Sequence, residues 1–203
     1  MSGRPLLWSN GPSHVAAKPS LHIVIIEESD KLGGHHTWSF HESDLPSEES
    51  LEWLKPVISK TWDETEVRFP KLEKALPGRF TAIRSDTVHS HLREILGDDI
   101  VLKDKAVRLS ESHVETAGGD IFAARLVIDA RGPSASPTSP VTGFLKFMAR
   151  EFELKSPHGL TKPLLMDANC PQLDGLRFFR LLPWDETRVR VEEMFYSDSP
   201  VLN

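Results

Sequence analysis

The residues with the clearest chemical potential are two adjacent glutamates, Glu192 and Glu193, in the segment RVRVEEMFY. Alternation along a strand would place Glu192 on the face of Arg190, and Glu193 on the face of Val189 and Val191. We therefore expect Glu193 on the apolar face, where desolvation favours a protonated carboxyl that can serve as a general acid. The alternative is that the strand ends at the glutamates, or that a bulge turns both carboxylates to solvent.

A second candidate site follows an apolar run in HIVIIEESDKLGGHH, where Glu27 comes directly after four aliphatic residues. A buried strand of parallel type that ends in Glu is typical of dinucleotide folds, in which the acid binds the cofactor ribose. Gly33 and Gly34 would then allow the backbone to approach a cofactor closely. The alternative interpretation is a core strand with a polar end and a glycine turn. The preceding segment SNGPSHVAAKPS lacks the G-x-G-x-x-G spacing of a phosphate-binding turn.

A third candidate lies in ARLVIDARG, which predicts a buried strand that delivers Asp129, Arg131 and Gly132. A second strand of this kind recurs in flavoproteins with two dinucleotide-binding folds, where the glycine permits close contact with the cofactor. By itself this pattern is as compatible with an ordinary strand end as with a cofactor site.

Other classes of function find little support in the sequence. His35 and His36 have no Cys, Asp or Glu at ligand spacing, so we expect no metal site. No G-x-S-x-G turn is present to support a hydrolase triad. The net charge of -6 gives no basic surface for nucleic acid. A single cysteine, Cys170, cannot form an intramolecular disulfide and is typical of a reducing, cytosolic setting.

The elements that would position these residues change in character along the chain. SEESLEWLKPVISK predicts a helix capped by Ser47 and ended or kinked by Pro56. SDTVHSHLREILG predicts a helix from Ser85 to Gly97 whose inward residues are Val88, Leu92, Ile95 and Leu96. Pro77 and Gly78 predict a turn between the short strands TEVRFP and RFTAI.

Short strands are predicted in IVLKD, AVRLS and HVETA, before a Pro/Ser loop at 132–140 that is a plausible boundary. Beyond residue 143, alternating strands predict an antiparallel sheet. They are FLKFMAREFELK, KPLLMDA, LRFFRLLPW and TRVRVEEMFY.

Taken together, six segments occur in the order and near the spacing of one known family. They are GGHHTWSFHESDL, VRFP, VIDARG, PHGLTKPLLMDA, LRFFRLLPW and TRVRVEEMFYSDSP. The chain from about residue 21 to its end resembles the bacterial lycopene beta-cyclases. The resemblance implies an α/β (α+β) fold of the two-dinucleotide-binding flavoprotein type, like p-hydroxybenzoate hydroxylase, with an antiparallel substrate-domain sheet.

The resemblance also implies an activity, that of an intramolecular lyase, which is a kind of isomerase. A carboxylic acid protonates the end group of a linear carotene, and ring closure gives a beta-ionone ring without net redox change. Glu192 matches the family's proposed catalytic glutamate and Glu193 its acidic neighbour. Reduced FAD is implied as a non-redox cofactor, with Glu27 binding its ribose and the glycine pair and the Asp129–Gly132 turn lining it. Carotene chemistry implies a cytoplasmic protein in peripheral contact with a membrane.

The chain departs from the family at both ends and within the site. We expect a divergent N-terminus at 1–20 without the glycine-rich loop, a partial FAD-binding domain at 21–140 with inserted strands and helices, and a partial substrate-binding sheet at 141–203. Arg190 occupies a position that is usually apolar in the family. An inactive fragment or carotenoid-binding remnant of the same family is therefore the alternative function.

The missing glycine-rich turn predicts weak or no retention of FAD, because that turn supplies charge-assisted contacts to the pyrophosphate. The absorption spectrum of the purified chain tests this prediction. A chain that carries stoichiometric yellow flavin through purification would contradict it.

Overall fold

The computed structural model describes residues 21–132 and 143–201. Residues 1–20 and most of the predicted boundary loop at 132–140 lie outside these ranges. The helices are α1 (Glu48–Leu54) and α2 (Ser85–Leu96), with 3₁₀ helices at Glu42–Asp44, Lys55–Val57 and Gly97–Asp99. The strands are β1 (Ile25–Glu27), β2 (Thr37–His41), β3 (Lys60–Phe69), β4 (Leu72–Arg84), β5 (Ile100–Leu102), β6 (Ala106–Leu109), β7 (His113–Thr116), β8 (Ile121–Ala123), β9 (Phe144–Glu153), β10 (Leu164–Asp167), β11 (Leu176–Pro183) and β12 (Arg188–Ser197).

The chain divides into two compact units. The first unit consists of Met1–Phe40, Leu45–Ser59 and Ala82–Ser134, and the second of His41–Asp44, Lys60–Thr81 and Ala135–Asn203. The sequence-based division at 20/21 and 140/141 stays a prediction. No helix in the described ranges is long and apolar enough to cross a bilayer.

In the first unit, β1 pairs in parallel with β5, so that Ile25 lies opposite Ile100 and Glu27 opposite Leu102. The parallel pairing predicted before Glu27 is therefore confirmed, but the predicted burial is wrong: Ile25, Ile26 and Glu27 are only partly buried, and Val24 is 37% exposed. A separate antiparallel sheet has the order β6-β7-β8. These pairings set the acidic end of β1 beside the residues that follow β5.

The helices of the first unit begin and end close to their predicted positions. Ser47 caps α1, since its Oγ accepts a hydrogen bond from the Ser50 backbone N–H at 3.3 Å. Gly97 ends α2 with a φ of 54°, a backbone conformation that glycine adopts at low cost. Val88 is buried as predicted, but Ile95 is exposed. The inward prediction for Ile95 is wrong because the packed cluster around Val88 reaches only as far as Leu92 along this helix.

The predicted buried strand in ARLVIDARG is wrong. Residues 125–131 belong to no strand, Leu126 is 72% exposed, and Ile128 is exposed as well. A strand requires a neighbour that satisfies its backbone hydrogen bonds, and among the described residues β1 and β5 pair only with each other. This segment therefore has the apolar composition of a strand, but no strand in the described part of the chain pairs with it.

The predicted turn at Pro77 and Gly78 is also wrong. Both residues lie inside β4, and the chain reverses instead at Pro70 and Lys71, between the end of β3 and the start of β4. Gly78 has a φ of 130°, which a strand interior accommodates through a local irregularity. The two strands are thus longer than their Pro and Gly content indicates.

The second unit contains five strands that are neighbours in one sheet, in the order β3-β10-β11-β12-β9. β10 pairs in parallel with β3, whereas β10–β11, β11–β12 and β12–β9 are antiparallel. The four strands predicted beyond residue 143 are therefore confirmed. Ala168, Phe178 and Met194 form a buried cluster on one face of this sheet. On that face, Phe178 and Leu182 of β11 and Glu192 and Met194 of β12 are buried.

Gly175, which precedes β11, generates a stability prediction for the second unit. Its φ is 89°, and a Cβ at this position would collide with the carbonyl oxygen of Tyr196. Gly175→Ala should therefore lower the free energy of unfolding by about 2 kcal/mol or more. Urea unfolding measures the change. Gly143→Ala is the control, since its Cβ would meet nothing within 4 Å; equal stability of the two variants would contradict the account.

Candidate functional site

The two glutamates of β12 lie on opposite faces of the sheet, and the more buried one is Glu192. Its side chain is 1% exposed, compared with 27% for that of Glu193. The expectation that Glu193 occupies the buried face is wrong, because Glu192 shares its face with Met194, which packs in the core. The alternative of a strand end or bulge is also wrong, since β12 pairs without interruption as far as Ser197.

Two guanidinium groups hold the Glu192 carboxylate. Oε1 accepts a hydrogen bond from Arg190 Nε at 2.6 Å, and Oε2 accepts one from Arg180 Nε at 2.6 Å. Arg180 Nη2 also contacts Oε2. The side chains of Arg180 and Arg190 are 21% and 9% exposed. Both oxygens of a carboxylate that water cannot reach are therefore satisfied by charged donors.

The strand register explains this arrangement. Arg180 on β11 lies directly opposite Glu192, while Arg190 precedes Glu192 by two residues on the same face of β12. Sequence reasoning found Arg190 but missed Arg180. The only signal for Arg180 is its position in LRFFRLLPW, and that signal becomes informative only once the pairing of β11 with β12 is known.

Glu193 makes a separate ion pair on the other face. Its Oε1 accepts hydrogen bonds from Arg177 Nε at 2.7 Å and pairs with Nη2 at 2.5 Å. The same guanidinium lies 5.3 Å from the ring centroid of Phe179 and 5.7 Å from that of Phe195. The Arg177 guanidinium therefore lies between the Glu193 carboxylate and two aromatic rings on a half-buried face of the sheet.

His158, in the PHGL segment, presents an unusual buried donor. Its Nδ1 accepts a hydrogen bond from the Leu160 backbone N–H at 3.0 Å. Nδ1 must therefore be unprotonated, and a neutral ring carries its proton on Nε2. Nε2 is buried without a hydrogen-bond partner among the described residues. Such a buried donor without a partner is rare in folded proteins.

Glu27 lies where the sequence predicts, at the carboxyl end of a parallel strand. Its Oε1 accepts a hydrogen bond from the Ser29 backbone N–H at 2.9 Å. The Glu27 carbonyl oxygen accepts a hydrogen bond from Asp104 N at 3.2 Å, and Lys103 N donates to Ser29 O at 2.9 Å. The acidic turn is therefore fixed against the residues that follow β5.

Backbone conformation and close packing explain the two glycines, Gly33 and Gly34, and the sequence alone did not indicate this. Gly33 and Gly34 have φ values of 73° and 55°. A Cβ on Gly33 would lie 2.9 Å from Trp38 Cη2 and 3.1 Å from Ser85 Cβ, while Gly34 O accepts a hydrogen bond from Ser85 Oγ at 2.8 Å. Glycine is thus needed here to pack the loop against the start of α2, whether or not a cofactor approaches it.

Asp129 and Arg131 form a closed pair rather than an open ligand site. Asp129 accepts hydrogen bonds from Arg131 Nε at 2.8 Å and Nη2 at 2.7 Å, and this pairing lowers the pKa of Asp129 to about 2. Arg131 Nη1 also donates to Ala106 O at 3.1 Å. Gly132 follows with a φ of 84°. The segment from Lys103 to Ala106 therefore borders both predicted cofactor segments.

These residues fit one end of FAD better than the other. Glu27 Oε2 accepts no hydrogen bond from the described residues, so it could bind a ribose hydroxyl. A pyrophosphate would have fewer hydrogen-bond donors available at the start of α2, because two backbone N–H groups there are already used. Ser85 N donates to His36 O, and Thr87 N donates to Asp86 Oδ1. The described residues also contain no group of three His, Cys, Asp or Glu side chains that could hold a metal ion.

Comparisons with known sequences agree on one family. A family model described as lycopene cyclase protein matches residues 12–203. A lycopene beta-cyclase of Pseudescherichia vulneris is 37% identical over 182 residues, which cover 90% of this chain and 47% of the relative. A lycopene beta-cyclase of Pantoea ananas is 33% identical over 186 residues, covering 92% and 48%. The chain thus spans about half the length of the curated relatives it matches.

Solved structures agree on the fold. PqsL from Pseudomonas aeruginosa, described as a probable FAD-dependent monooxygenase, aligns with a TM-score of 0.60 at 14% identity, over 91% of this chain and 56% of PqsL. The tetrameric form of 2-methyl-3-hydroxypyridine-5-carboxylic acid oxygenase aligns with a TM-score of 0.54 at 16% identity, over 90% and 54%. The predicted flavoprotein fold of mixed strands and helices is therefore confirmed, over about half of each neighbour.

The different burial of the two glutamates generates a stability prediction. Glu192→Gln leaves two largely buried guanidinium groups without their shared counter-charge, so it should destabilise the chain by about 3 kcal/mol. Glu193→Gln removes a more exposed charge and should cost about 1 kcal/mol or less. Urea unfolding of both variants measures the difference. A loss for Glu193→Gln as large as that for Glu192→Gln would contradict the burial of Glu192.

Proposed function

The chain belongs to the lycopene cyclase family, and from this premise we propose that it serves carotenoid biosynthesis by cyclising the end groups of a linear carotene. The observation that carries the proposal is the acidic pair of β12, which stands within the matched region and includes a carboxyl only 1% exposed. A hydrocarbon substrate offers no polar group to bind, so a proton donor in an apolar setting is the chemistry that such a site must provide.

The proposed reaction balances without an oxidant or reductant. A carboxyl of β12 donates a proton to the terminal carbon–carbon double bond, and a neighbouring double bond attacks the resulting carbocation to close the ring. The carboxylate that remains after donation then accepts a proton from the ring, which gives a beta-ionone end group, so that substrate and product are isomers. We assign proton donation to Glu192, with Glu193 as the second carboxyl of the pair. Glu192 can donate only when it is protonated, which requires its contacts with Arg180 and Arg190 to change.

FAD is the proposed cofactor of this fold. Glu27 would hold its ribose, and Gly33 and Gly34 would lie near the flavin. Asp129 already forms an ion pair with Arg131, so it would contribute only by fixing the shape of its turn. Bound reduced FAD would supply electrostatic stabilisation of a cationic transition state without transferring electrons.

The substrate class suggests where the protein acts. Linear carotenes dissolve in lipid, so we propose a cytoplasmic protein in peripheral contact with a membrane. Exposed apolar side chains support this proposal at one end of the second unit, where Leu145, Tyr196 and Leu176 lie side by side across three strands.

A second candidate function, a non-catalytic carotene-binding remnant, is favoured by one specific observation. Both oxygens of Glu192 accept hydrogen bonds from arginine side chains, which is the arrangement of an ion pair rather than of a free acid. A chain of this kind could bind the carotene against an apolar sheet face without protonating it.

Production of the chain in a bacterial host that accumulates lycopene separates these functions. We expect carotenes with beta-ionone rings, identified by chromatography and absorption spectra of the extracted pigment. Glu192→Gln should abolish the rings, because an amide has no acidic proton to donate. Product is expressed per amount of soluble protein, since this variant is also expected to lose stability.

Glu186→Gln is the matched control, because Glu186 is an exposed glutamate shortly before β12. It should cyclise carotene as the native chain does. Unchanged cyclisation by Glu192→Gln would overturn the assignment of the acid. Linear carotene that co-purifies with the chain, without rings, would support the remnant instead, and neither bound nor cyclised carotene would contradict both functions.

A further inference from the structure

Strand β9 lies at one end of its sheet and, among the described residues, pairs with β12 on one side only. It is ten residues long, and its pairing with β12 runs without a bulge from Phe144 to Glu153. A long, regular edge strand can accept another strand through its outward backbone N–H and C=O groups. The outer edge of β9 is therefore a candidate interface.

The features with which natural proteins protect an edge strand are largely absent from β9. Its sequence FLKFMAREFE contains neither proline nor glycine. Lysine is a common protective residue, but Lys146 is buried and donates to Asp174. Four large apolar side chains, two on each face of the strand, are between 41% and 50% exposed. They are Leu145, Phe147, Met148 and Phe152.

A second copy of the chain can supply the strand that this edge accepts, through its own β9. A two-fold axis perpendicular to the sheet makes the two β9 strands antiparallel. It also keeps the faces of the two sheets aligned, so that residues of the same face lie opposite each other. Because such an axis occupies the outer edge of β9 in both copies, assembly at this edge stops at two chains.

The charges of β9 restrict the register of this pairing, since like charges directly opposite each other are unfavourable. An axis at Met148 would place Lys146 opposite Arg150 of the second copy. An axis at Lys146, Arg150 or Glu151 would place that residue opposite its own copy. An axis at Ala149 avoids all of these contacts between like charges.

The register centred on Ala149 also uses nearly the whole strand. It sets residues 145–153 of one copy against the same residues of the other, whereas an axis at Phe147 leaves 151–153 with no opposite residue in β9. In the register centred on Ala149, every charged residue lies opposite an apolar one. These pairs are Lys146 with Phe152, Arg150 with Met148, Glu151 with Phe147, and Glu153 with Leu145.

We propose that two copies of the chain associate by antiparallel pairing of their β9 strands about an axis at Ala149, which joins the two sheets into one. Backbone hydrogen bonds supply the affinity of this strand addition, and the side chains set its register. Because Ala149 lies directly opposite Glu192, the Glu192 side chains of both copies share one face of the joined sheet. They are about 14 Å apart, at three strand spacings. The inference does not rest on the proposed function, since it requires neither carotene nor flavin.

Sedimentation equilibrium of the purified chain measures the association. Between about 1 and 100 µM, a range that covers micromolar affinities, we expect the average mass to rise from that of one chain, 22.8 kDa, towards that of two. A mass of one chain throughout this range would overturn the inference. Masses that continue to rise beyond two chains would contradict a closed two-fold dimer.

Met148→Glu and Met148→Lys are a matched pair of variants that test the register. Both remove the same exposed apolar side chain, and in the dimer both place a charge opposite Arg150 of the second copy, at two symmetric positions. The dissociation constant of Met148→Glu should be lower than that of Met148→Lys by at least about fivefold. Within one chain, residue 148 lies opposite Glu193, so an effect on folding alone would favour lysine. Equal dissociation constants, or tighter association of Met148→Lys, would contradict the register.

Cysteine cross-linking locates the axis, in a Cys170→Ser background that removes the single native thiol. Ala149→Cys should oxidise to a covalent dimer, because directly opposite Cα atoms of an antiparallel pair are about 4.5–5.5 Å apart. Arg150→Cys is the control, since its two Cα atoms would be about 8 Å apart, beyond the reach of a disulfide. Cross-linking of Arg150→Cys alone would move the axis and overturn the register. A dimer in which neither variant cross-links would lie on another surface and would overturn the inference.

Discussion

A carboxylate inside a β-sheet must find its counter-charges within the sheet itself, and this requirement organises the second unit of the protein. Glu192 is 1% exposed, so its ionised form is stable only if both oxygens accept charged hydrogen bonds. The antiparallel register of β11 and β12 brings Arg180 opposite it, and strand alternation brings Arg190 beside it. A shift of one residue in that register would move Arg180 to the other face and leave Glu192 without one of its partners.

The same constraint bears on the two proposed functions of the site, cyclisation of carotene and binding without cyclisation. Proton donation to a hydrocarbon needs a carboxylic acid, while the structure supplies the partners of a carboxylate. If Glu192 is the acid that we propose, its contacts with Arg180 and Arg190 must change before it can donate a proton. In the first unit, Glu27 Oε2 accepts no hydrogen bond from the described residues, whereas the backbone N–H groups of Ser85 and Thr87 already donate.

Much of the fold could be predicted from the sequence where local rules decide it. The alternation in β9, β11 and β12, the cap at Ser47 and the glycine stop at Gly97 depend on neighbours in the chain, and all were confirmed. Predictions failed where distant partners decide the outcome. ARLVIDARG has strand composition but no pairing strand in the described ranges, and Pro77–Gly78 lies within a strand because Pro70–Lys71 already reverses the chain. The face of Glu192 was likewise set by the core around Met194, which alternation alone cannot identify.

The most direct test of this account is a double-mutant cycle of Arg190→Met and Glu192→Gln, measured by urea unfolding. A buried ion pair at 2.6 Å should give a coupling free energy of about 2 kcal/mol or more. The corresponding cycle of Arg177→Met and Glu193→Gln, on the more exposed face, should give about 1 kcal/mol or less. A coupling between Arg190 and Glu192 within ~0.3 kcal/mol of zero would mean that the two charges act independently, and it would contradict the central claim that the sheet holds Glu192 as a paired carboxylate.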